Sequence, residues 1–271
     1  MALADYVRLI DEIKGDVCQV ALGGRGDPNL HKDFEEILRY TRTNGVVPNY
    51  TTSGLGLTEG QVRISKEYCG AVAVSWHNAD YTRRAVEMLA GHGVITNIHY
   101  VLSNSSIERA KELLGGVAGV NSIVFLLHKP IGAGSLSEVL RADDPRVAEF
   151  FGDVDGALGR GMSIGFDSCC VPGIINLAQT VDARSIEACE AGRFSMYVSA
   201  DMRAFPCSFG QHLGGIDLRK SSVADAWNSD LFDGVGERLR GACPSCVDRA
   251  DCLGGCWVAP GITLCERMER V

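Results

Sequence analysis

The sequence predicts an α/β fold, a run of parallel βα units leading into a smaller cysteine-rich region. Three observations predict it. Helical and strand-like patterns alternate through the first two-thirds of the 271 residues. The strand-like segments are near-continuous apolar runs, as expected of a parallel sheet covered on both faces. Nine of the eleven cysteines lie beyond residue 163.

Each element has its own signal. Tyr6, Val7, Leu9, Ile10 and Ile13 recur at helical spacing, so residues 4–14 read as an amphipathic helix. Val17 to Leu22 is a short apolar run stopped by Gly23-Gly24, a buried strand and its turn. Phe34, Ile37, Leu38 and Thr41 mark a helix over 31–44, and Val46 to Thr52 a strand that breaks at Ser53-Gly54. Helix 58–68, strand 71–76, helix 80–92, strand 94–102, helix 105–114 and strand 121–127 follow, giving five strands. The segment Lys129-Pro130-Ile131-Gly132-Ala133-Gly134 reads as a loop, residues 145–160 as one more helix, and Ser163 to Phe166 as strand-like. A boundary is expected near 162, separating domains 1–162 and 163–271.

Bulk composition narrows the function. An apolar fraction of 46% and a charged fraction of 22% are ordinary for a globular chain. The net charge of −8, with Lys and Arg scattered, argues against nucleic acid as the main partner, since phosphate binding wants a basic face. No stretch reaches the roughly 18 apolar residues of a membrane span, and the first residues lack a signal-peptide shape. The expectation is a cytoplasmic chain with no membrane partner and with reduced thiols. An odd cysteine count then favours metal ligation over a disulfide framework. His31, His92, His128 and His212 are expected at the surface or in loops.

Cys243, Cys246, Cys252 and Cys256 stand in the spacing C-x2-C-x5-C-x3-C, and Cys265 follows. Thiolates this dense are soft ligands for zinc or an iron–sulfur group. Cys189 and Cys207 lie upstream, and Cys169-Cys170 offers an eighth position. Eight thiolates suit two four-cysteine sites, holding two [4Fe–4S] clusters or two zincs. The simpler alternative is one structural zinc on the four-cysteine run, the other thiols being buried as apolar groups.

These cysteines resemble those of the radical S-adenosylmethionine (SAM) enzymes that carry a SPASM auxiliary domain. That family's pattern is C-x(9–15)-G-x4-C, a gap, C-x2-C-x5-C-x3-C, a gap, then a last Cys. Cys189 and Cys207 fill the first part, Cys243 to Cys256 the second without deviation, and Cys265 the last. One departure is visible: Met202 stands where the family has its glycine, so a non-Gly residue must make a tight turn. The resemblance implies a partial parallel (β/α) barrel of the radical SAM type followed by a small SPASM domain. It implies an interlaced ligand set, with Cys243, Cys246, Cys252 and Cys265 holding one auxiliary [4Fe–4S] cluster. Cys189, Cys207 and Cys256 would hold the second, with Cys169 as fourth ligand, or Cys170 with Cys169 packed; strand neighbours point to opposite faces.

The resemblance also implies a SAM site. Gly23, Gly24 and Asp27 sit where the family places a turn whose open backbone and nearby acid receive the SAM methionine. Thr52 and Ser53, at the next strand's tip, would bond the ribose or carboxylate, unless they only cap the following helix. Ser75 and Asn97, with His77, His99 and Asn104, mark later strand ends, where ligands of parallel sheets bind, although for any one of them a satisfied structural polar group is the simpler role. The implied activity is radical modification of a peptide or protein by a 5′-deoxyadenosyl radical. An electron donor such as a flavodoxin or ferredoxin is implied as partner.

That chemistry needs a C-x3-C-x2-C cluster loop after the first barrel strand, and the 271 residues contain none. Cys18 and Cys69 sit in apolar surroundings that favour packing. The expectation is an N-terminally truncated piece of such an enzyme, or else a shortened paralogue, unable to cleave SAM alone. Two other classes are carried beside it: a non-catalytic iron–sulfur electron carrier or peptide-binding module, and a zinc-stapled interaction domain.

Overall fold

The computed structural model describes residues 1–24, 26–77, 79–181 and 185–265. The predicted alternation of helices and strands is what the chain adopts. In order it forms α1 (Leu3–Ile13), β1 (Gln19–Leu22), α2 (Phe34–Thr43), β2 (Val47–Thr52), α3 (Glu59–Tyr68), β3 (Val72–Ser75), α4 (Asp80–Gly91) and β4 (Thr96–Leu102). There follow α5 (Ile107–Leu113), β5 (Ser122–Leu127), α6 (Pro145–Gly159), β6 (Ile164–Phe166) and α7 (Val171–Leu177). The C-terminal part adds β7 (Tyr197–Val198), β8 (Arg203–Phe205), β9 (Ile216–Asp217), α8 (Val223–Trp227), α9 (Asp230–Gly241) and α10 (Arg249–Cys252).

The sheet order is β1-β2-β3-β4-β5-β6, with β1–β2, β2–β3 and β3–β4 parallel. An order that never reverses is the winding of a (β/α) barrel, not of a doubly wound sheet. Six strands replace the five counted from the sequence. The sixth, β6, is the strand-like segment at Ser163 to Phe166, which lies beyond the expected boundary near 162 yet joins the sheet beside β5.

By packing, the chain divides into two units: residues 1–100 with 117–124, and residues 101–116 with 125–271. In the first unit, one face of the sheet is buried under helices. Tyr50, Val72 and Val74 meet Phe34 and Leu38 of α2, Val62 of α3, and Ala85, Val86 and Leu89 of α4. Phe34 and Tyr50 cross edge to face at 5.2 Å, an arrangement stabilising by about 0.5–1.5 kcal/mol beyond the area buried. The Tyr50 hydroxyl is satisfied by Ser65 Oγ at 2.8 Å. Helix α3 begins with a full capping box between Thr58 and Gln61, which fixes its first turn.

The opposite face follows from strand parity. Register pairs Ala21 with Asn49, Thr51 with Ala73, Ala73 with Asn97 and Ser75 with His99. In a parallel ladder these partners share a face, and alternate residues turn the other way. Gln19, Asn49, Thr51, Ser75, Asn97 and His99 therefore form a polar surface on the side away from the helices.

The second unit is built on a different core. Phe125 of β5, Phe150 and Phe151 of α6, and Phe166 of β6 form an aromatic cluster with centroids 5.0 to 5.8 Å apart along Phe125–Phe150, Phe150–Phe151, Phe125–Phe166 and Phe151–Phe166. Gly173 of α7 lets that helix close on the Phe151 ring, because a Cβ there would stand 3.0 Å from the ring edge. The turn 167–170 is thereby held between β6 and α7. A small antiparallel sheet, β7-β8-β9, completes the unit. Among the described residues no helix is long and apolar enough to cross a membrane.

Candidate functional site

In the first unit the expected SAM-facing residues fall into two kinds. Gly24 has φ of +129°, a conformation closed to L side chains, and nothing lies within 4 Å of where a Cβ would stand at Gly23 or Gly24. The main chain at that turn is open to an approaching group. Ser75 and Asn97 lie on the polar sheet face, where Asn97 Oδ1 accepts from Ser122 Oγ at 2.8 Å. His99 sits beside Ser75, and burial pushes its imidazole below the ordinary value, towards the neutral form.

The other kind is already engaged. Asp27 accepts from the Ser53 backbone N at 2.9 Å and the Ser53 hydroxyl at 2.6 Å, one carboxylate oxygen on each. Thr52 Oγ1 donates to Asn29 Oδ1 at 2.8 Å and accepts from the Gly54 N–H at 2.9 Å. Thr52 belongs to the helix-facing side of β2 and is buried. Together these bonds clasp the loop after β1 to the loop after β2. Gly54 completes the clasp at φ +90°, since a Cβ there would meet Ala85 Cβ at 2.6 Å and Tyr81 O at 2.8 Å. Thr51, on the open face, was not singled out from the sequence; only the register reveals its side.

In the second unit the cysteines sort into two groups. Cys243, Cys246, Cys252 and Cys265 line one small pocket, partly open to solvent. Burial first, then the charges of Cys265, Cys243 and Cys246, push the Cys252 thiol up from its ordinary value. The local backbone is unusual for a reason. After α10, Leu253, Gly254 and Gly255 run at φ of +51°, +74° and +78°, turning the chain sharply between Cys252 and Cys256. Side chains at the two glycines would strike Ala242 Cβ at 2.5 Å and Pro172 Cγ at 3.0 Å.

Cys256 belongs with the other set. Cys256 lies beside Cys169, and the contact between the two sulfurs raises the Cys169 thiol and lowers that of Cys256. Burial holds Cys189 up at about 11, with Cys207 and Cys256 adding their charge, and burial likewise raises Cys207 beside Cys256. Cys189 packs with Ala191 against Val235 and Leu239 of α9, with Cys207 and Trp257 alongside. Cys170 turns the other way: it is fully buried and its thiol faces the Phe125 carbonyl oxygen at 3.9 Å. The two neighbours diverge because residues 168–170 form a 3-10 turn, not because they continue β6.

A buried cation in the loop after β5 stands beside this second set. Lys129, its side chain 5% exposed, pairs with Asp167 at 2.7 Å, donates to the Leu127 carbonyl at 3.0 Å and lies 4.8 Å over the Phe209 ring. Burial opposes its charge, but the Asp167 carboxylate, then Cys169, outweigh burial and hold the ammonium above its ordinary value. The tight turn expected at Met202 is also present, at φ +61° with the side chain buried.

The donor sets can be tested against the groups the family resemblance implies. Among the described residues no three His, Cys, Asp or Glu side chains converge on a single-ion geometry. Four soft thiol donors around one pocket match the all-cysteine ligation of an iron–sulfur cluster. Thr263 Oγ1, on the wall of that pocket, is buried with no partner among the described residues, as expected of a group that faces an acceptor.

No family model matches the chain. The mycofactocin maturase of Mycobacterium tuberculosis is 25% identical over 278 aligned positions, covering 94% of this chain and 70% of that protein. The PqqA peptide cyclase of Methylocella silvestris is 22% identical over 259 positions, covering 85% and 67%. Among solved structures, Streptococcus suis SuiB bound to its precursor peptide SuiA superposes with a TM-score of 0.78 at 17% identity, covering 98% of this chain and 69% of that one. The anSMEcpe structure with bound AdoMet and a peptide gives 0.74 at 14% identity, covering 99% and 84%.

Proposed function

We propose that the chain belongs with the radical SAM enzymes that carry a SPASM region, and that it supplies the SAM-facing barrel strands and two auxiliary [4Fe–4S] sites of a peptide-modifying member. The reading divides the chain into barrel residues 1–162 and SPASM residues 163–271. Cys243, Cys246, Cys252 and Cys265 would hold one auxiliary cluster, and Cys169, Cys189, Cys207 and Cys256 the other. The observation that carries it is the sorting of eight cysteines into these two fours, with neighbours Cys252 and Cys256 on opposite sides of the division.

When bound, the clusters supply one-electron redox capacity or a coordination point for substrate. The chain's own residues do the rest. The Gly23-Gly24 main chain would receive the SAM methionine group, with Asp27 at its rim held in place by Ser53. Thr52 would fix the clasp between the two loops from behind, and Ser75 and Asn97 would offer hydrogen bonds from the sheet face. Lys129, locked by Asp167, would place a positive charge beside the second set of thiolates.

A peptide or protein substrate is supported by the relatives, which include a peptide cyclase and an enzyme crystallised with its precursor peptide. An electron donor such as a flavodoxin or ferredoxin completes the proposal. The 271-residue chain contains no C-x3-C-x2-C, so by itself it is expected to form no 5′-deoxyadenosine from SAM under reducing conditions. The deciding experiment is iron, acid-labile sulfide and zinc per chain after anaerobic reconstitution. About eight iron and eight sulfide support two four-iron clusters; one or two zinc without sulfide sink the proposal.

A further inference from the structure

Two buried side-chain polar atoms lack a partner among the described residues, Trp257 Nε1 and Thr263 Oγ1. Both lie in the short segment between the last two cysteines, Cys256 and Cys265. A buried donor without an acceptor carries its desolvation cost uncompensated, so each calls for an explanation. An indole N–H can only donate, and a hydroxyl can donate to whatever acceptor it faces.

Their surroundings supply the explanation. Thr263 is on the wall of the cavity ringed by Cys243, Cys246, Cys252 and Cys265. Trp257 lines a neighbouring cavity beside Cys256, and its ring packs on the Cys189–Val235–Leu239 cluster next to Cys207. Gly210 lets the indole in, since a Cβ there would stand 3.2 Å from the ring. Thr263 thus stands in the wall of one cysteine set, and Trp257 packs beside Cys189, Cys207 and Cys256 of the other.

We propose that Thr263 and Trp257 are sulfur-directed donors, one for each cysteine set, that tune the reduction potentials of the groups held there. The inference rests on the iron–sulfur reading above. A hydrogen bond to a cluster or thiolate sulfur stabilises the more negative, reduced state and therefore raises the potential. Neither residue ligates; both are positioning residues acting through sulfur.

The test uses the full chain reconstituted with iron and sulfide, titrated with dithionite and followed by electron paramagnetic resonance. Thr263→Val removes the hydroxyl at nearly constant volume, and Trp257→Phe keeps an aromatic ring but not the N–H. Each substitution is expected to lower one transition and leave the other in place. At a fixed potential the reduced-to-oxidised ratio of the affected transition falls about tenfold, which is about 59 mV for one electron. Thr263→Ser keeps a donor and restores the wild-type value.

Two transitions that neither substitution moves would overturn the inference and leave the iron–sulfur reading intact. So would both transitions moving together in either variant, or Thr263→Ser behaving like Thr263→Val. Should Thr263→Val lose iron, retention by Thr263→Ser supports the donor role and equal loss overturns it. Zinc without sulfide in the wild-type chain would remove the iron–sulfur reading, and this inference with it.

Discussion

Cys169 stands thiol to thiol beside Cys256, while Cys252, one turn of chain earlier, lines a pocket with Cys243, Cys246 and Cys265 instead. The division between the two groups thus runs through the three residues Leu253-Gly254-Gly255. The partition is a matter of backbone geometry, and it makes single substitutions informative.

Cys252→Ser and Cys169→Ser should each remove about half of the iron and sulfide, about four of each, from opposite groups. Their losses should add in the double variant. Cys170→Ala should keep the full complement, since that thiol faces the Phe125 carbonyl. Iron loss in Cys170→Ala without loss in Cys169→Ser would reverse the assignment.

Met202 holds φ +61° with its side chain buried, so backbone strain and apolar burial oppose each other at one residue. Both Met202→Ala and Met202→Gly lose the buried side chain, at a cost of about 2–5 kcal/mol for a Met-to-Ala truncation. Only glycine relieves the left-handed strain of about 1–2 kcal/mol. The Gly variant should therefore unfold at higher denaturant than the Ala variant, inverting their usual order.

Cys69 and Cys18 should differ sharply towards iodoacetamide at pH 8. Burial holds the Cys69 thiol up at about 12, so it stays protonated, whereas Cys18 is exposed. Mass spectrometry of the native protein should find Cys18 alkylated and Cys69 spared, both reacting once the chain is unfolded. Equal labelling in the native state would contradict this placement.

Glu138 gives a pH signature. The Ser105 hydroxyl, then Ser103 and the Ser105 amide, hold its carboxyl down at about 2 from an ordinary 4.5. Its folded value lies below its unfolded one, so its contribution is fully present above about pH 4.5 and is lost as pH falls towards 2. Amide exchange around residues 103–106 and 136–138 should accelerate through that window. Glu138→Gln should flatten the dependence; an unchanged profile would count against it.

Much of this was legible in the sequence, and what was not has physical causes. The helices and first five strands follow from apolar spacing, and the cysteine run from its density. Thr51 and Thr52 could not be told apart, because which side of β2 faces the helices depends on its register with β1 and β3. Cys169 over Cys170 was favoured on strand alternation, yet a 3-10 turn is what separates them. Lys129 is the loop residue that the sequence indicates, but its burial could not be read, because its partner, Asp167, follows β6 and no local pattern announces a buried ion pair.

The crossing between Cys252 and Cys256, with the return at Cys265, knots the two cysteine groups into a single unit of inheritance. Neither could be lifted out and grafted elsewhere as a cassette, and neither could drift in length without dragging the other. An inserted residue in 253–255 would shift Cys252 against Cys256 and so disturb both groups at once.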